Sequence, residues 1–250
     1  MLTAEVQEDQ WVTVKLDFLR QLKTPDEIKL ITVAVKIADD AFEAVLPHFV
    51  PGACERHLAA LLEYEMRKRG ADKAAFDTIV ASGSRSALPH GVASDKLLET
   101  GDFVVVDFGA VFRGYNSDMT RTLCMGKASD KQRKVYETVL TAQLAGIAAV
   151  LAGAECVQVD RAARQVIDNA GYGEFFGHGL GHGVGIMIHE EPKLSAGASD
   201  DKLAETMVVT VEPGIYLPDW GGVRIEDLVV VNQDVCSILT RTGKTLLEVM

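Results

Sequence analysis

No stretch of this 250-residue chain approaches the run of about 20 apolar residues that a membrane-spanning helix needs, so no span is expected. The opening MLTAEVQEDQ carries three acidic residues and lacks the apolar core of a secretory signal. Four cysteines, Cys54, Cys124, Cys156 and Cys236, form no CxxC pair, which excludes a zinc knuckle or a dithiol redox motif. Reduced thiols and the missing signal make the cytoplasm the expected location. Basic residues are outnumbered, 25 Lys and Arg against 36 Asp and Glu, and they are scattered. A net charge of −11 with no basic patch argues against nucleic acid or an anionic membrane as partner. What remains is a soluble composition, 48% apolar and 24% charged, with enough apolar residues for a sizeable core.

The most unusual stretch runs from Gly177 to Pro192, GHGLGHGVGIMIHEEP, with three of the six histidines and five glycines. It contains no Gly-Lys-Ser/Thr, which sets aside phosphate binding. Glycine lets the backbone come close to whatever the imidazoles hold. Alone, the stretch fits a metal site, a hydrolase loop or a tight turn equally well.

The rest of the chain is read from its start and stop signals. Residues 1–24 read as a strand or connector. Thr24 as N-cap, Pro25 at N1 and Glu27 completing a capping box open a helix. Its apolar residues Ile28, Ile31, Val35, Ala38, Phe42 and Val45 recur at helical spacing. A second helix, CERHLAALLEYEMRKRG, ends at Gly70; two strands then flank an Arg113-Gly114 turn. A third helix opens at Ser129 or Asp130 and runs through Leu151, and a fourth closes at Gly171. The Gly52–Gly70 pattern returns as Gly153–Gly171, 101 positions later. An α+β protein of two pseudo-symmetric halves follows.

Asp107 lies in the strand FVVVDFGA and Asp118 in YNSDMTRT. A hairpin centred on Phe112 and Arg113 would set them directly opposite each other, on the face shared by Thr120 and Thr122. Glu212 in TVEP and Glu226 in VRIED flank the turn LPDWGG, so they also face each other. Two buried acid pairs need a compensating cation. Four carboxylates and one imidazole make an oxygen-rich set for two divalent ions, with Mn, Co, Fe and Zn all chemically suited.

In order, VVVDFGA, NSDMTRT, GHGVGIMIHE, TVEPGIY and VRIED resemble the pita-bread metallopeptidases: Xaa-Pro dipeptidases, aminopeptidase P, methionine aminopeptidases and the metal-free creatinases. The resemblance covers residues 25–250, taken as the catalytic domain. It implies a curved, mainly antiparallel sheet covered by helices. It also implies two divalent ions, manganese first, with Asp107 on one, Asp118 and Glu226 bridging, and His182 and Glu212 completing the other. A metal-bridging hydroxide would then be the nucleophile, Glu212 the proton carrier, His189 the contact to the substrate carbonyl and His90 the histidine of the opposite wall. His178 matches an extra histidine of proline-directed members. Tyr216 and Arg224 join the substrate-binding candidates, with orientation of its own strand as the alternative for Arg224, and Lys193 stands where dipeptidases often carry an arginine for the substrate carboxylate.

SALPHG, the His178/His182 pair, EPGIY and GVRIED lean towards hydrolysis of an N-terminal Xaa-Pro bond, by a dipeptidase or an aminopeptidase. The expected partner is a peptide or dipeptide with proline second, and a homodimer is the assembly considered. A methionine aminopeptidase is the alternative, although its usual cysteine before the first histidine is Pro89 here. A non-catalytic pita-bread binding module is the alternative of another class.

Overall fold

The computed structural model describes residues 2–5, 11–14, 18–198 and 201–250. Two antiparallel strands, β1 (Leu2–Glu5) and β2 (Trp11–Val14), and one helical turn, α1 (Phe18–Gln21), precede the first long helix. That helix, α2 (Pro25–Val45), starts as its sequence signals require. Thr24 Oγ1 accepts the Glu27 N–H, and the Glu27 carboxylate accepts the Thr24 N–H at 2.8 Å. Pro47 has no N–H to continue the ladder, and the chain tightens into a 3-10 turn over Leu46–His48. Helix α3 (Glu55–Lys68) follows and gives way at Gly70, whose φ of +102° suits glycine.

The first sheet region then comprises β3 (Lys73–Ala74), β4 (Ile79–Ser82), β5 (Phe103–Phe108), β6 (Ala110–Phe112), β7 (Tyr115–Asn116) and β8 (Met119–Met125). Helix α4 (Asp130–Ala149), opened by a Ser129/Gln132 capping box, and α5 (Cys156–Asn169) form the second helix pair. Then come β9 (Gly181–Gly183), β10 (Glu190–Leu194), β11 (Val208–Val211), β12 (Gly214–Leu217), β13 (Gly221–Arg224), β14 (Asp227–Val230), β15 (Ser237–Ile238) and β16 (Leu247–Val249). The two main sheets have the orders β4-β5-β8-β16 and β10-β9-β11-β14-β15, all antiparallel except β8 with β16. No helix among the described residues is long and apolar enough to cross a membrane.

Each sheet carries its own helix pair. Phe42, Leu62 and Met66 from α2 and α3 pack on Val104, Val106 and Phe108, with Phe42 stacked on Phe108 at 5.6 Å. Val139, Ala163 and Ile167 from α4 and α5 pack on Val209, Val211 and Val229. Fully burying one such large apolar side chain contributes about 1.5–3 kcal/mol. The halves also repeat each other in backbone hydrogen bonding. Gly52 N–H donates to Leu98 O at 2.8 Å, and Gly153 N–H to Leu203 O at 2.7 Å. Leu98 N–H returns to Ala53 O, and Leu203 N–H to Ala154 O, both at 2.8 Å. The expected two-half α+β architecture is therefore present.

The first hairpin differs in register from the sequence expectation. Arg113 and Gly114 both have positive φ, +49° and +84°, the requirement of a two-residue turn, and so the hairpin centres between them. Phe112 pairs with Tyr115, and Asp107 pairs with Thr120 rather than with Asp118. Asp118 falls in the break between the β5–β8 and β6–β7 ladders. Because the shift is two residues, both aspartates keep the same face. The second hairpin has the expected register: Val211 pairs with Asp227 and Gly214 with Arg224, which leaves Glu212 and Glu226 opposite each other in the gap between ladders.

Gly109 holds the first break in shape. A Cβ there would collide with the Ser117 carbonyl, immediately before Asp118. Gly109→Ala is expected to cost about 1–3 kcal/mol in urea unfolding by overpacking, and an unchanged midpoint would show that the break is not constrained there.

Candidate metal centre

The face shared by β5, β8 and the β11–β14 break collects the acids. One oxygen each from Asp107, Asp118 and Glu226 lie within 4.8 Å of one another. His182 closes the group: its Nε2 stands 3.3 Å from Glu212 Oε1 and 3.7 Å from Asp118 Oδ2. Its Nδ1 lies 3.0 Å from the Gly183 carbonyl and donates to it, which aims Nε2 at the acids. All five residues expected as ligands are thus brought together.

The acids are oriented by neighbours, two of which the sequence did not single out for that task. Thr120 Oγ1 donates to Glu226 Oε2 at 2.6 Å, and Thr210 Oγ1 donates to Glu212 Oε1 at 3.0 Å. Thr210 sits two residues before Glu212 in VVTVE, a spacing that already put it on the same strand face. Arg224 is 3% exposed, and its guanidinium donates to Asp107 Oδ2 at 2.6 Å, Tyr216 OH at 2.8 Å and Thr120 Oγ1 at 3.0 Å. The Tyr216 OH lies 2.9 Å from His178 Nε2. Arg224 and Tyr216, candidates for substrate contact, form a buried chain from His178 to Asp107, and Arg224 also lines the cavity.

Burial, followed by the charge of neighbouring acids, pushes Asp118 and Glu226 well above the ordinary carboxylate range. Burial raises Asp107 too, against the opposing charge of Arg224. Glu212 moves the other way: burial would raise it, but the His182 hydrogen bond and charge hold it down to about 2. Glu212 in turn raises His182 in spite of desolvation. Asp107 Oδ1 and Glu226 Oε1 are buried with no hydrogen-bond partner among the described residues. Two orphaned carboxylate oxygens beside a histidine Nε2 are a donor set that divalent cations satisfy.

The cluster lies on the wall of a cavity of about 910 Å³, which His90, His178, His189, Lys193, Phe76, Val92 and Met187 also line. His189 is exposed and meets His182 edge-on, with ring centroids 4.4 Å apart. His90 is exposed on the loop after β4, and Lys193 lies opposite His182 in the β9–β10 ladder. His48 and His57 are exposed and do not line this cavity. The glycines of the histidine stretch serve a different neighbour from the one expected. A Cβ at Gly179 would come 2.8 Å from Leu194 O, while one at Gly181 or Gly183 would meet the Thr210 or Glu191 carbonyl. Their room is filled by adjoining backbone, because β9 lies tightly between β10 and β11.

Two pseudo-symmetric halves meeting over this acid and histidine cluster define the pita-bread class. The profile of Metallopeptidase family M24 matches residues 29–233, most of the chain, and this protein belongs to that family. It is 50% identical over 229 residues to a Xaa-Pro dipeptidase of Pyrococcus furiosus, covering 92% of this chain and 66% of that protein. Among solved structures it is similar to a Xaa-Pro dipeptidase from Bacillus anthracis, with TM-score 0.91, 50% identity, and coverage of 93% of this chain and 65% of that one. An X-Pro aminopeptidase from Thermotoga maritima matches with TM-score 0.91 and 46% identity over 94% of this chain and 66% of that one. The chain spans about two thirds of the length of these relatives.

Without ions, Asp118 and Glu226 retain protons that the unfolded chain releases near the ordinary carboxylate pKa of about 4. The stability they contribute is present below that value and is lost as pH rises through their raised folded values. The melting temperature of chelator-treated protein should therefore fall more steeply from about pH 5 to about pH 8 than that of Glu226→Gln, which mimics the protonated form. Equal slopes would contradict the assignment.

Proposed function

We propose that this chain carries the hydrolytic centre of a two-metal exopeptidase that cleaves the bond between an N-terminal residue and a following proline, with residues 25–250 as the catalytic unit. The observation that carries the reading is the pair of orphaned oxygens on Asp107 and Glu226, set among Asp118, His182 and Glu212. The names of the similar proteins, Xaa-Pro dipeptidase and X-Pro aminopeptidase, supply the substrate class. Unbridged Cys54, Cys124, Cys156 and Cys236 accord with a cytoplasmic enzyme.

Asp107, Asp118, His182, Glu212 and Glu226 would hold the ions, manganese first, with Co, Zn and Fe suited to the same donors. Two divalent ions bound there supply a water nucleophile near neutral pH and polarise the scissile carbonyl. Glu212, steered by Thr210, holds the proton released on attack and passes it to the leaving nitrogen. His189 and His90 lie on the cavity wall where an imidazole N–H can meet the carbonyl oxygen as it gains charge. Burial lowers His189, so it donates from its neutral form. His178 is braced by Tyr216 and the Gly179 carbonyl, which makes it a fixed element of the wall. Lys193, exposed across the ladder from His182, is available to the carboxylate of a dipeptide. Arg224 positions Asp107 from the cavity wall.

Chelated protein reloaded with Mn²⁺ is expected to bind about two ions per chain and to hydrolyse Ala-Pro or a longer Xaa-Pro peptide in preference to Met-Ala. Fewer than about one ion per chain would remove the two-metal reading, and a preference for Met-Ala would replace the proline specificity. Glu212→Gln should lower kcat by about 10²-fold or more; turnover near that of the parent would show that the proton travels by another group.

A further inference from the structure

Outside the acid cluster, one charged pair is almost wholly buried at the edge of the cavity. Lys23 Nζ lies 3.1 Å from Glu190 Oε2, with side chains 2% and 5% exposed. Burial lowers the Lys23 pKa, and Glu190 is the first of the charges that oppose this. A buried ion pair is weak as a source of stability, since desolvation offsets much of its attraction. Its geometry shows what it orders instead.

Glu190 follows His189 directly, and its other oxygen, Oε1, accepts the Met187 N–H at 3.0 Å. The carboxylate therefore closes the turn that carries His189. Gly185 permits this, because a Cβ there would stand 2.7 Å from Glu190 Oε2. From the other side, Asn116 Nδ2 donates to Gly185 O at 2.9 Å and to Ile186 O at 2.8 Å. Between these ties the segment belongs to no helix or strand, and Ile186 and Met187 are exposed. Lys23 is itself fixed, since its N–H donates to Thr206 O at 3.3 Å and it directly precedes the Thr24 cap of α2. A rigid helix start thus reaches, through one ammonium, the turn that holds His189 beside His182.

We propose that Lys23 is a positioning residue for His189: by neutralising the buried Glu190 it holds the 185–190 turn closed and sets the imidazole against the metal-facing side of the cavity. This rests on the proposed role of His189. Lys23 touches no reacting atom and acts through Glu190 and the turn. The segment before α2, read from sequence as a connector, thereby contributes to the geometry of the site.

The test uses the full chain with Lys23→Met, and with Glu190→Gln as a milder variant should Lys23→Met fold poorly. In metal-free protein, amide hydrogen exchange across residues 185–190 should quicken by about tenfold or more while α2 stays protected. In Mn²⁺-loaded protein, kcat on Ala-Pro should fall by about tenfold to a hundredfold with KM within about threefold of the parent. In a His189→Ala background the same substitution should cost less than about threefold, as positioning through that imidazole requires. Unchanged exchange at 185–190 would overturn the clamp alone. An undiminished loss in the His189→Ala background would overturn positioning in favour of a purely structural role. Full turnover by His189→Ala itself would remove the functional reading of that histidine, and the positioning role with it.

Discussion

The constraint on which the structure depends is the concentration of negative charge at its centre. Asp107, Asp118, Glu212 and Glu226 come together where little water can screen them. Without ions the chain relieves this in three ways. Arg224 pairs with Asp107, His182 pairs with Glu212, and Asp118 and Glu226 shift towards their protonated forms. None of these relieves Asp107 Oδ1 or Glu226 Oε1. A fold that buries acids without satisfying them is prepared for a cation.

The internal symmetry builds this arrangement and departs from itself where the chemistry lies. Ladder pairing equates Asp107, next to last in β5, with Glu212, just past the end of β11. The same pairing equates Thr120 with Glu226 and Asp118 with Arg224, so the two acid pairs are not symmetry copies of each other. Thr120 and Glu226 then meet across the pseudo-axis in a 2.6 Å hydrogen bond, and Arg224 reaches back to Asp107. Each half supplies what its counterpart lacks. Neither half alone contains the site.

The two histidine-bearing loops share a method of construction. The His90 side is braced by Glu55, fully buried at the start of α3, which accepts from Ser82 N–H at 2.7 Å, Ser94 N–H at 3.0 Å and Arg85 Nε at 3.1 Å. On the His189 side, Glu190 accepts from Met187 N–H and Lys23. In both, a buried carboxylate paired with one cation accepts from backbone N–H groups, two for Glu55 and one for Glu190. Loops built this way keep exposed imidazoles in defined positions.

Much of this was legible in the residues. The capping box at Thr24, the helix start at Ser129, the glycine ends at Gly70 and Gly171 and the repeat at 101 positions follow from local chemistry, and the ordered set Asp107, Asp118, His182, Glu212, Glu226 was legible through its resemblance to the pita-bread family. The caps and helix ends are short-range properties, and the repeat and the ordered motifs are read along the chain, so the sequence by itself determined them. Only tertiary structure decided the rest. The first hairpin's register turned on the positive φ of Arg113 and Gly114, and the glycines of the histidine stretch proved to make room for β10 and β11. Arg224, Tyr216, Thr210 and Lys23 took their parts through contacts with residues distant in the chain or facing across a hairpin. Local pattern cannot specify a contact whose two partners are joined only by the packing of the whole chain.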